Sequence, residues 1–285
     1  MIKIEKGKIY LVTGGSGFLG VPLCKRILDK GGKVRVLSRD EGKLIELKQQ
    51  ADVEILTGDV SDKFEVKQAM AGVHGVFHLA ASKHVGLAEL QVRECIKTNT
   101  IGSMNILEES LDTKPEFVLS ISTDKAAQVA GVYGATKLLM ERLHEQFERI
   151  NKSTKYRIVR YGNVLYSTGS VLCKWKELLQ QDKEVIVTDG NATRFFWSVD
   201  QALDLIEDCM QNSSNTKAYC PDMKSMKIFD MLEAMSQKYL PENGTLKIKT
   251  IGLQPGENLH EKVMEEGPYS NEVEHFTIDE IKELI

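Results

Sequence analysis

The stretch Ile9-Tyr-Leu-Val-Thr-Gly-Gly-Ser-Gly-Phe-Leu-Gly20 joins an apolar, β-branched run to a glycine turn and then to a helical pattern. In a turn of this spacing Gly14 allows the tight bend, Gly17 lets a ligand approach the backbone, and Gly20 lets the helix pack closely on the strand. The free N–H groups and the positive dipole of the helix N-terminus attract an anion. A glycine-rich turn without a ligand can have the same spacing. The stretch predicts a dinucleotide pyrophosphate site if the rest of the chain agrees.

The first 160 residues alternate short β-branched runs with longer helical patterns. This alternation is typical of βαβ units that feed a parallel sheet. The predicted strands cover residues 8–13, 33–38, 53–57, 75–80, 116–122 and 157–160, and the predicted helices cover residues 18–29, 63–71, 95–110, 133–149 and 172–181. We expect an α/β fold with a doubly wound parallel sheet, a Rossmann domain over residues 1–163. Residues 164–285 are expected to form a smaller C-terminal substrate lobe, with some strands and helices returning to the Rossmann sheet.

The composition favours a globular protein that binds small molecules. A chain of 285 residues with 42% hydrophobic and 27% charged residues is long enough to bury a core. The net charge of −4 gives no electrostatic reason to expect nucleic acid or an anionic membrane as a partner. The first apolar segment is too short for a signal sequence or a membrane span, which predicts a cytoplasmic protein. Five cysteines without a CxxC pair predict reduced thiols and no metal site: Cys24, Cys95, Cys173, Cys209 and Cys220.

The end of the second predicted strand bears on the choice of dinucleotide. There Val36-Leu-Ser-Arg-Asp40 places Arg39 just beyond the strand. A carboxylate at this point accepts hydrogen bonds from a ribose 2′-hydroxyl, whereas a guanidinium matches a 2′-phosphate. The sequence therefore favours NADP over NAD, with Lys43 as a second cation, although neighbouring acidic residues weaken the argument. Asp59 follows the third strand and is placed to meet the adenine. The expected cofactor-binding residues are Gly14, Ser16, Gly17, Phe18, Leu19, Gly20, Ser38, Arg39, Asp40, Lys43, Asp59, Val60, Ala80, Ala81, Thr98, Tyr133, Lys137 and Val164.

The fifth predicted strand ends in side chains suited to acid–base chemistry. It leads into Thr123-Asp-Lys125 at the carboxyl edge of the sheet, where ligands bind in such folds. Tyr133 and Lys137 follow, four residues apart on a helix and so on one face. A nearby cation favours the phenolate, so we expect Lys137 to lower the pKa of Tyr133 toward the working pH and make it a base for oxidising an alcohol. A hydroxyl at Thr123 would hold the same substrate oxygen.

Further segments spread over nearly the whole chain extend this set. They are Ser38-Arg-Asp40, Ala81-Ser-Lys-His-Val85, Glu94-Cys-Ile-Lys-Thr-Asn99, Ser122-Thr-Asp-Lys-Ala126, Tyr133-Gly-Ala-Thr-Lys137, Arg160-Tyr-Gly-Asn-Val164, Thr193-Arg-Phe195 and Pro255-Gly-Glu-Asn-Leu-His-Glu261. Together they resemble the extended short-chain dehydrogenase/reductases, and among these the inverting UDP-N-acetylglucosamine 4,6-dehydratases. The most specific segment is Asp124-Lys125, because sugar 4-epimerases resemble each other in lacking it and dTDP-glucose dehydratases have Asp-Glu. Tyr133 agrees, since the larger membrane-linked dehydratases tend to have Met there.

The resemblance implies a redox-neutral reaction on a nucleotide sugar. Tyr133, assisted by Lys137 and Thr123, would take the proton from the C4 hydroxyl while hydride passes to NADP. Lys125 would then act as base at C5 and Asp124 as acid at C6, water would leave, and hydride would return to C6 with inversion at C5. A lysine serves as a base only if burial or a neighbouring cation depresses its pKa, as we expect at Lys125. The resemblance also implies UDP-N-acetylglucosamine or a related nucleotide sugar as partner, a homo-oligomer, and four substrate ligands: Lys83, Asn163, Arg194 and Glu257.

The chain departs from the family pattern at three places. Thr168 and Gln254 stand where the family tends to have arginine, and residues 127–131 replace an expected Asn-Pro. The first two departures bear on diphosphate binding and leave the exact nucleotide sugar open, and the third changes the loop over the sugar. Two other interpretations remain open. One is a UDP-sugar 4-epimerase or NADPH-dependent reductase of the same fold, and the other is a non-catalytic dinucleotide-binding sensor, which has no need of a base such as Tyr133.

Overall fold

Six parallel strands form the centre of the protein, whose computed structural model describes residues 1–285. They are β1 (Ile9–Thr13), β2 (Lys33–Ser38), β3 (Val53–Thr57), β4 (Gly75–His78), β5 (Phe117–Thr123) and β6 (Lys155–Tyr161). Their order across the sheet is β3-β2-β1-β4-β5-β6, with every neighbouring pair parallel. The order reverses between β1 and β4, which makes the carboxyl ends of these strands the expected ligand crevice. The doubly wound parallel sheet is confirmed.

Helices on both faces of the sheet connect these strands. They are α1 (Gly20–Asp29), α2 (Glu41–Gln50), α3 (Lys63–Met70), α4 (Val85–Leu90), α5 (Val92–Ile96), α6 (Gly102–Thr113) and α7 (Val132–Ile150). The helix predicted over residues 95–110 is divided, because a π-helical turn at Lys97–Ile101 joins α5 to α6. A 3₁₀ turn at Asp124–Ala126 follows β5. Helix α2 was not predicted, because only Leu44 and Leu47 of its residues are buried and its apolar pattern is weak.

The elements after β6 are shorter strands and longer helices. They are β7 (Asn163–Val164), α8 (Val171–Gln180), β8 (Val185–Val187), β9 (Thr193–Arg194), β10 (Phe196–Trp197), α9 (Val199–Asn212), β11 (Met226–Lys227), α10 (Ile228–Tyr239), β12 (Ile248–Thr250) and α11 (Ile278–Leu284). The strands form three small sheets, β7 with β10, β9 with β11, and β8 with β12. The predicted helix at residues 172–181 corresponds to α8, while α9 and α10 were not predicted.

Three hydrophobic cores stabilise these layers. One core lies on a face of the large sheet and takes in the apolar face of α9, including Leu203, Ile206 and Met210, although α9 comes after β6 in the chain. The chain also returns to the sheet edge at Tyr219, whose N–H donates to the carbonyl of Ile158 at 2.9 Å. A second core packs α8, α10 and α11 together. A third packs α3, α6 and α7 on the large sheet. The C-terminal lobe thus returns elements to the sheet, and its boundary at residue 163 stays a prediction.

Candidate active site

The glycine turn between β1 and α1 leaves room only for backbone. Gly14 has a φ of +68°, a left-handed conformation that glycine adopts without strain. Its N–H donates to the carbonyl of Leu37 at 2.8 Å, which ties the turn to β2. A Cβ at Gly20 would lie 2.5 Å from the Gly14 oxygen and 2.5 Å from Cα of Gly15, so α1 begins directly against the turn. This cradle fits a dinucleotide pyrophosphate, for which the N-terminus of α1 supplies free N–H groups.

Polar side chains lie at the end of β2 beside this turn. Ser16 Oγ donates to Ser38 Oγ at 2.7 Å, which joins the turn to the strand end. The Arg39 side chain is 59% exposed, and its Nη1 lies 3.6 Å from Asp59 Oδ2. Burial raises the pKa of Asp59, but hydrogen bonds from Ser61 and the charge of Arg39 outweigh burial and hold the pKa below its usual value. A 2′-phosphate at this point would compete with Asp59 for Arg39.

Asp40 and Lys43, both expected at the cofactor, form the first turn of α2. Asp40 Oδ1 accepts a hydrogen bond from the Lys43 N–H at 3.1 Å, which caps the helix. Lys43 Nζ lies 3.4 Å from Asp40 Oδ2. The charge of this second cation is therefore already paired within its own helix.

The other expected cofactor residues lie along the carboxyl edge of the sheet. The N–H of Ala80 donates to Thr13 Oγ1 at 3.2 Å just beyond β4. Thr98 is buried in the π-helical turn, and the next residue, Asn99, exchanges hydrogen bonds with the backbone of Ser82 at 2.7 and 2.9 Å. A π-helical turn changes the direction of side chains and is frequent at functional sites. The remaining members are Phe18 and Leu19 in the glycine turn, Val60 after β3, Ala81 after β4 and Val164 in β7.

Asp124 and Lys125 form a hydrogen-bonded pair directly after β5. Asp124 is fully buried, and its Oδ1 accepts hydrogen bonds from Thr123 Oγ1 at 2.8 Å and from Lys125 Nζ at 3.1 Å. Its other oxygen, Oδ2, has no hydrogen-bond partner, an exception among buried polar atoms that calls for a ligand or another explanation. The structure brings these three predicted residues together, and one buried carboxylate oxygen remains without a hydrogen-bond partner.

The charges around Lys125 differ from the expectation. Its Nζ lies 3.1 Å from Asp124 Oδ1 and 3.6 Å from Glu261 Oε1. Burial lowers the pKa of Lys125, but the two carboxylates outweigh burial and raise the pKa above its usual value. The expectation of a depressed pKa is therefore wrong for this arrangement, in which Lys125 is an ammonium.

Tyr133 lies in the first turn of α7, close to the same pair. Burial raises the pKa of Tyr133 to about 12, against the opposing effects of the Lys125 charge and of Thr123. Lys137 Nζ donates to the carbonyl of Ile121 at 2.7 Å, and burial lowers the pKa of Lys137 to about 8. The expectation that Lys137 lowers the pKa of Tyr133 toward the working pH is not met. The cation with the largest effect on this tyrosine is Lys125.

Two of the expected substrate ligands, Lys83 and Asn163, contact neighbouring backbone. Lys83 is half-buried, which lowers its pKa, and its Nζ donates to the carbonyl of Thr168 at 3.4 Å. The residue that replaces the family's arginine thus contacts Lys83 through its backbone. Asn163 Nδ2 donates to the carbonyl of Phe195 at 3.3 Å, which joins β7 to the segment between β9 and β10.

The other two expected ligands, Arg194 and Glu257, lie in different surroundings. The Arg194 side chain is 10% exposed, its Nη1 donates to the carbonyl of Leu259 at 2.9 Å, and its Nε lies 3.9 Å from Glu261 Oε1. Arg194 is therefore brought to the Asp124–Lys125 pair through Glu261. Glu257 Oε2 accepts a hydrogen bond from the N–H of Gln254 at 3.1 Å and closes a local turn.

Residues that were not predicted from the sequence also contribute to this site. Glu89 Oε1 accepts a hydrogen bond from the N–H of Val132 at 2.7 Å at the N-terminus of α7. Gly131 fits against it, because a Cβ there would lie 2.3 Å from the same oxygen. Asn99 and Glu261 stand in segments that carried the family resemblance, so a signal for them was present. Glu89 had no such signal, because it caps a helix that comes much later in the chain.

A crevice opens at Lys125, next to the buried Asp124. Its walls are formed by Val85, Lys125, Gln128, Ala130, Gly131, Tyr133, Gly134, Gly256 and Asn258. Asn258 Nδ2 donates to the carbonyl of Gln128 at 3.4 Å, so the loop that departs from the family pattern is tied to the glycine turn near residue 256. With Lys125 and Tyr133 on the same crevice, the arrangement suits proton transfer to and from an alcohol and a neighbouring carbon.

Comparison with known proteins places this site in a family. Residues 10–283 match the family described as polysaccharide biosynthesis protein, which is nearly the whole chain. The chain belongs to this family. An inverting UDP-N-acetylglucosamine 4,6-dehydratase of Campylobacter jejuni is 36% identical to this chain over 263 residues, covering 90% of the chain and 77% of the relative.

Other relatives of the chain have different descriptions. An uncharacterized membrane protein of Methanocaldococcus jannaschii is 38% identical over 278 residues, covering 94% of this chain and 84% of the relative. A UDP-glucose 4-epimerase of Rickettsia rickettsii is 30% identical over 267 residues, covering 90% and 77%. In the present chain no helix has both the length and the apolar character needed to cross a membrane.

Solved structures agree with the fold. Pen from Bacillus thuringiensis is 31% identical with a TM-score of 0.86, covering 91% of this chain and 81% of that chain. The expected resemblance to the extended short-chain dehydrogenase/reductases, and among them to inverting UDP-N-acetylglucosamine 4,6-dehydratases, is confirmed.

Proposed function

We propose that this protein is a nucleotide-sugar 4,6-dehydratase that acts on UDP-N-acetylglucosamine and inverts C5. The observation behind the proposal is the buried Asp124–Lys125 pair at the crevice beside Tyr133. Removing water from a sugar needs one base and one acid at adjacent carbons, and oxidising an alcohol needs a third group. The identity of 36% to the C. jejuni dehydratase supports the same reaction.

Lys125 and Tyr133 in the crevice, with the residues packed behind them, would carry out the proton transfers. Tyr133 would take the proton of the C4 hydroxyl, with Thr123 holding the same oxygen and Lys137 supporting it from α7. Lys125 would take the proton from C5, which the neighbouring ketone acidifies, and Asp124 would protonate the departing C6 hydroxyl. In the hydrogen-bonded form Lys125 holds the proton. This proton must therefore pass from Lys125 Nζ to Asp124 Oδ1, 3.1 Å away, before Lys125 can take the proton from C5.

We further propose that the glycine turn holds NADP rather than NAD. When bound, the nicotinamide supplies reversible hydride transfer, so the dinucleotide is regenerated in each turnover. The support for NADP is Arg39, exposed at the end of β2 with one carboxylate near it. We expect Arg39→Ala to raise the Kd for NADP about tenfold or more and to leave the Kd for NAD nearly unchanged. Lys48→Ala on exposed α2 is the control, and equal losses for both dinucleotides would contradict the proposal.

A second candidate, a 4-epimerase, is favoured by the 30% identity to the R. rickettsii enzyme. Mass spectrometry and NMR of the product made from UDP-N-acetylglucosamine in heavy water separate the two reactions. The dehydratase predicts loss of water, deuterium at C5 and inverted C5, without net consumption of dinucleotide. A C4 epimer alone would contradict the dehydratase, and net oxidation of NADPH would indicate a reductase.

The role of Lys125 is tested by Lys125→Met. Because general acid–base groups contribute about 10²–10⁴-fold, we expect product formation to fall by that factor while dinucleotide binding is kept. Lys25→Met, an exposed lysine of α1, is the matched control and should remain active. Full turnover by Lys125→Met would exclude this lysine as the C5 base.

A homo-oligomer and a cytoplasmic location also remain proposals that rest on the sequence. Size-exclusion chromatography with light scattering tests the first, and fractionation of the producing cells tests the second.

A further inference from the structure

A third carboxylate, Glu261, lies beside the Asp124–Lys125 pair. Its Oε1 is 3.6 Å from Lys125 Nζ and 3.9 Å from Arg194 Nε, and its side chain is 1% exposed. The backbone of Glu261 is fixed from both sides, since its N–H donates to Ser270 Oγ at 2.9 Å and its carbonyl accepts the Ser270 N–H at 2.8 Å. One oxygen of a buried carboxylate therefore faces both a catalytic lysine and an arginine.

The segment that carries Glu261 is held on the sheet by Arg160 of β6. Arg160 Nη1 donates to the carbonyl of Val263 at 2.8 Å, and Nη2 lies 3.0 Å from Glu265 Oε1. The same guanidinium pairs with Glu141 of α7 at 2.5 Å in the interior. Because Arg160 joins β6, α7 and the segment that carries Glu261, the fold fixes the position of Glu261.

We propose that Glu261 is a positioning residue that holds the Lys125 ammonium beside Asp124 and strengthens Lys125 as the proton acceptor in the elimination. The inference rests on the proposed dehydratase function and adds Glu261 to the residues that act in it. Glu261 acts through Lys125 and the neighbouring Arg194.

The proton balance of the elimination explains this role. The Lys125 amine takes the C5 proton, the electrons of the C5–H bond form the C5=C6 bond, and the C6–O bond breaks as Asp124 gives its proton to the leaving oxygen. The pair then consists of an ammonium and a carboxylate, which is the hydrogen-bonded form seen at 3.1 Å. A proton from solvent then reaches the opposite face of C5, and return of one proton from Lys125 to Asp124 prepares the next turnover. Glu261 stabilises the ammonium that forms when C5 is deprotonated.

The effect of Glu261 on the pKa of Lys125 is opposed by burial and by the charge of Arg194. A carboxylate within about 4–6 Å of a lysine favours the ammonium, and a neighbouring cation opposes it. Burial lowers the pKa of Lys125, the charges of Asp124 and Glu261 raise it, and the charge of Arg194 lowers it. Removing the Glu261 charge should therefore make Lys125 lose its proton at lower pH and become a weaker base.

The test uses Glu261→Gln, which keeps the shape and removes the charge, Glu261→Asp, which keeps the charge, and Glu266→Gln as a control at an exposed position of the same segment. In full-length protein labelled with ¹³C at lysine Cε, NMR follows the Lys125 signal against pH, identified by its loss in Lys125→Met. Exchange of the C5 hydrogen of UDP-N-acetylglucosamine in heavy water is then measured against pH for each protein.

We expect Glu261→Gln to move both the Lys125 titration and the acidic limb of C5 exchange downward by about 1–3 pH units, the range for one opposite charge at this distance. Glu261→Asp should restore part of the shift, and Glu266→Gln should match wild type. The same Lys125 titration in wild type and Glu261→Gln, or no titration in either across the accessible range, would overturn the proposal. So would a shifted titration without a shifted exchange profile in active enzyme. A shifted titration in a wild-type protein that performs no dehydration would instead reject the proposed function.

Discussion

Gly20 shows how strictly one residue can be required at this site. A Cβ there would lie 2.5 Å from both the Gly14 oxygen and Gly15 Cα, and backbone atoms cannot move aside as a flexible side chain can. The glycine spacing was predictable because it follows from local geometry alone. The pKa of Lys125 was not, because the balance between burial, which lowers it, and the charges of Asp124 and Glu261, which raise it, exists only in the folded chain.

We expect Gly20→Ala to destabilise the fold by about 1–3 kcal/mol, as overpacking does, and to weaken dinucleotide binding. Urea unfolding and calorimetric titration with NADP measure the two effects. Gly86→Ala is the matched control, because no atom lies within 4 Å of its Cβ position and α4 should gain about 0.5–1 kcal/mol from the added methyl. Equal stability of Gly20→Ala and wild type would show that α1 can move off the turn.

At the scale of elements, the N-terminus of α7 controls where Tyr133 lies. Helix α7 starts after Gly131, which provides no side-chain cap, and Glu89 of α4 accepts the Val132 N–H in its place. The helix itself was predicted almost to its ends, since its apolar residues recur at helical spacing. Its cap was not, because a capping group from another element leaves no local pattern.

We expect Glu89→Ala to cost about 1 kcal/mol of stability, the usual effect of a lost cap. Because α7 carries Tyr133 one residue after Val132, kcat should fall more than stability alone explains. Urea unfolding and the dehydration assay measure the two effects. Glu94→Ala, an exposed glutamate of α5, is the control, and the two variants behaving alike would indicate that Glu89 has no special part in placing α7.

The π-helical turn at Lys97–Ile101 is the second feature that the sequence pattern did not reveal. The residues around it have helical spacing, so a continuous helix over 95–110 was expected. The inserted turn lets Asn99 Nδ2 donate both to the Ser82 carbonyl at 2.9 Å and to Thr136 Oγ1 of α7 at 3.0 Å. Such tertiary hydrogen bonds favour one more residue in the turn, and no local propensity encodes them.

At the scale of the whole molecule, buried histidines couple stability to pH. His144 of α7 is fully buried, its Nδ1 donates to the Met140 carbonyl at 2.9 Å, and its Nε2 has no partner. Burial lowers the pKa of His144 to about 4. The unfolded chain, with an ordinary histidine pKa near 6.5, therefore binds more protons between these values, and stability falls as the pH falls from 6.5 toward 4.

We expect His144 to account for a loss of about 2 kcal/mol between pH 7 and pH 5. His144→Gln should remove this share of the pH dependence and leave the share of buried His78, which acts in the same direction. Urea unfolding at pH 7 and pH 5 measures the change in the free energy of unfolding for each protein. An unchanged dependence in His144→Gln would contradict the assignment.

The overall sheet order followed from alternating strand and helix patterns, and all six strands were predicted in place. The lobe after β6 was not resolved into elements, because β9 and β10 have two residues each and their pairings join distant parts of the chain. The apolar face of α9 likewise packs on a sheet that precedes it, so its partner could not be inferred from its own residues.

The pairing of Tyr219 with the edge of β6 has a consequence for how the chain is made. During synthesis every strand of the large sheet leaves the ribosome before the segment at Tyr219 and the apolar face of α9. Until then the growing chain has a bare strand edge and an uncovered apolar surface, which are the features that bind chaperones or lead to aggregation. The dinucleotide motifs are thus translated well before the folding unit that they belong to is complete, and a gene fragment ending at residue 163 would encode the motifs without a stable protein.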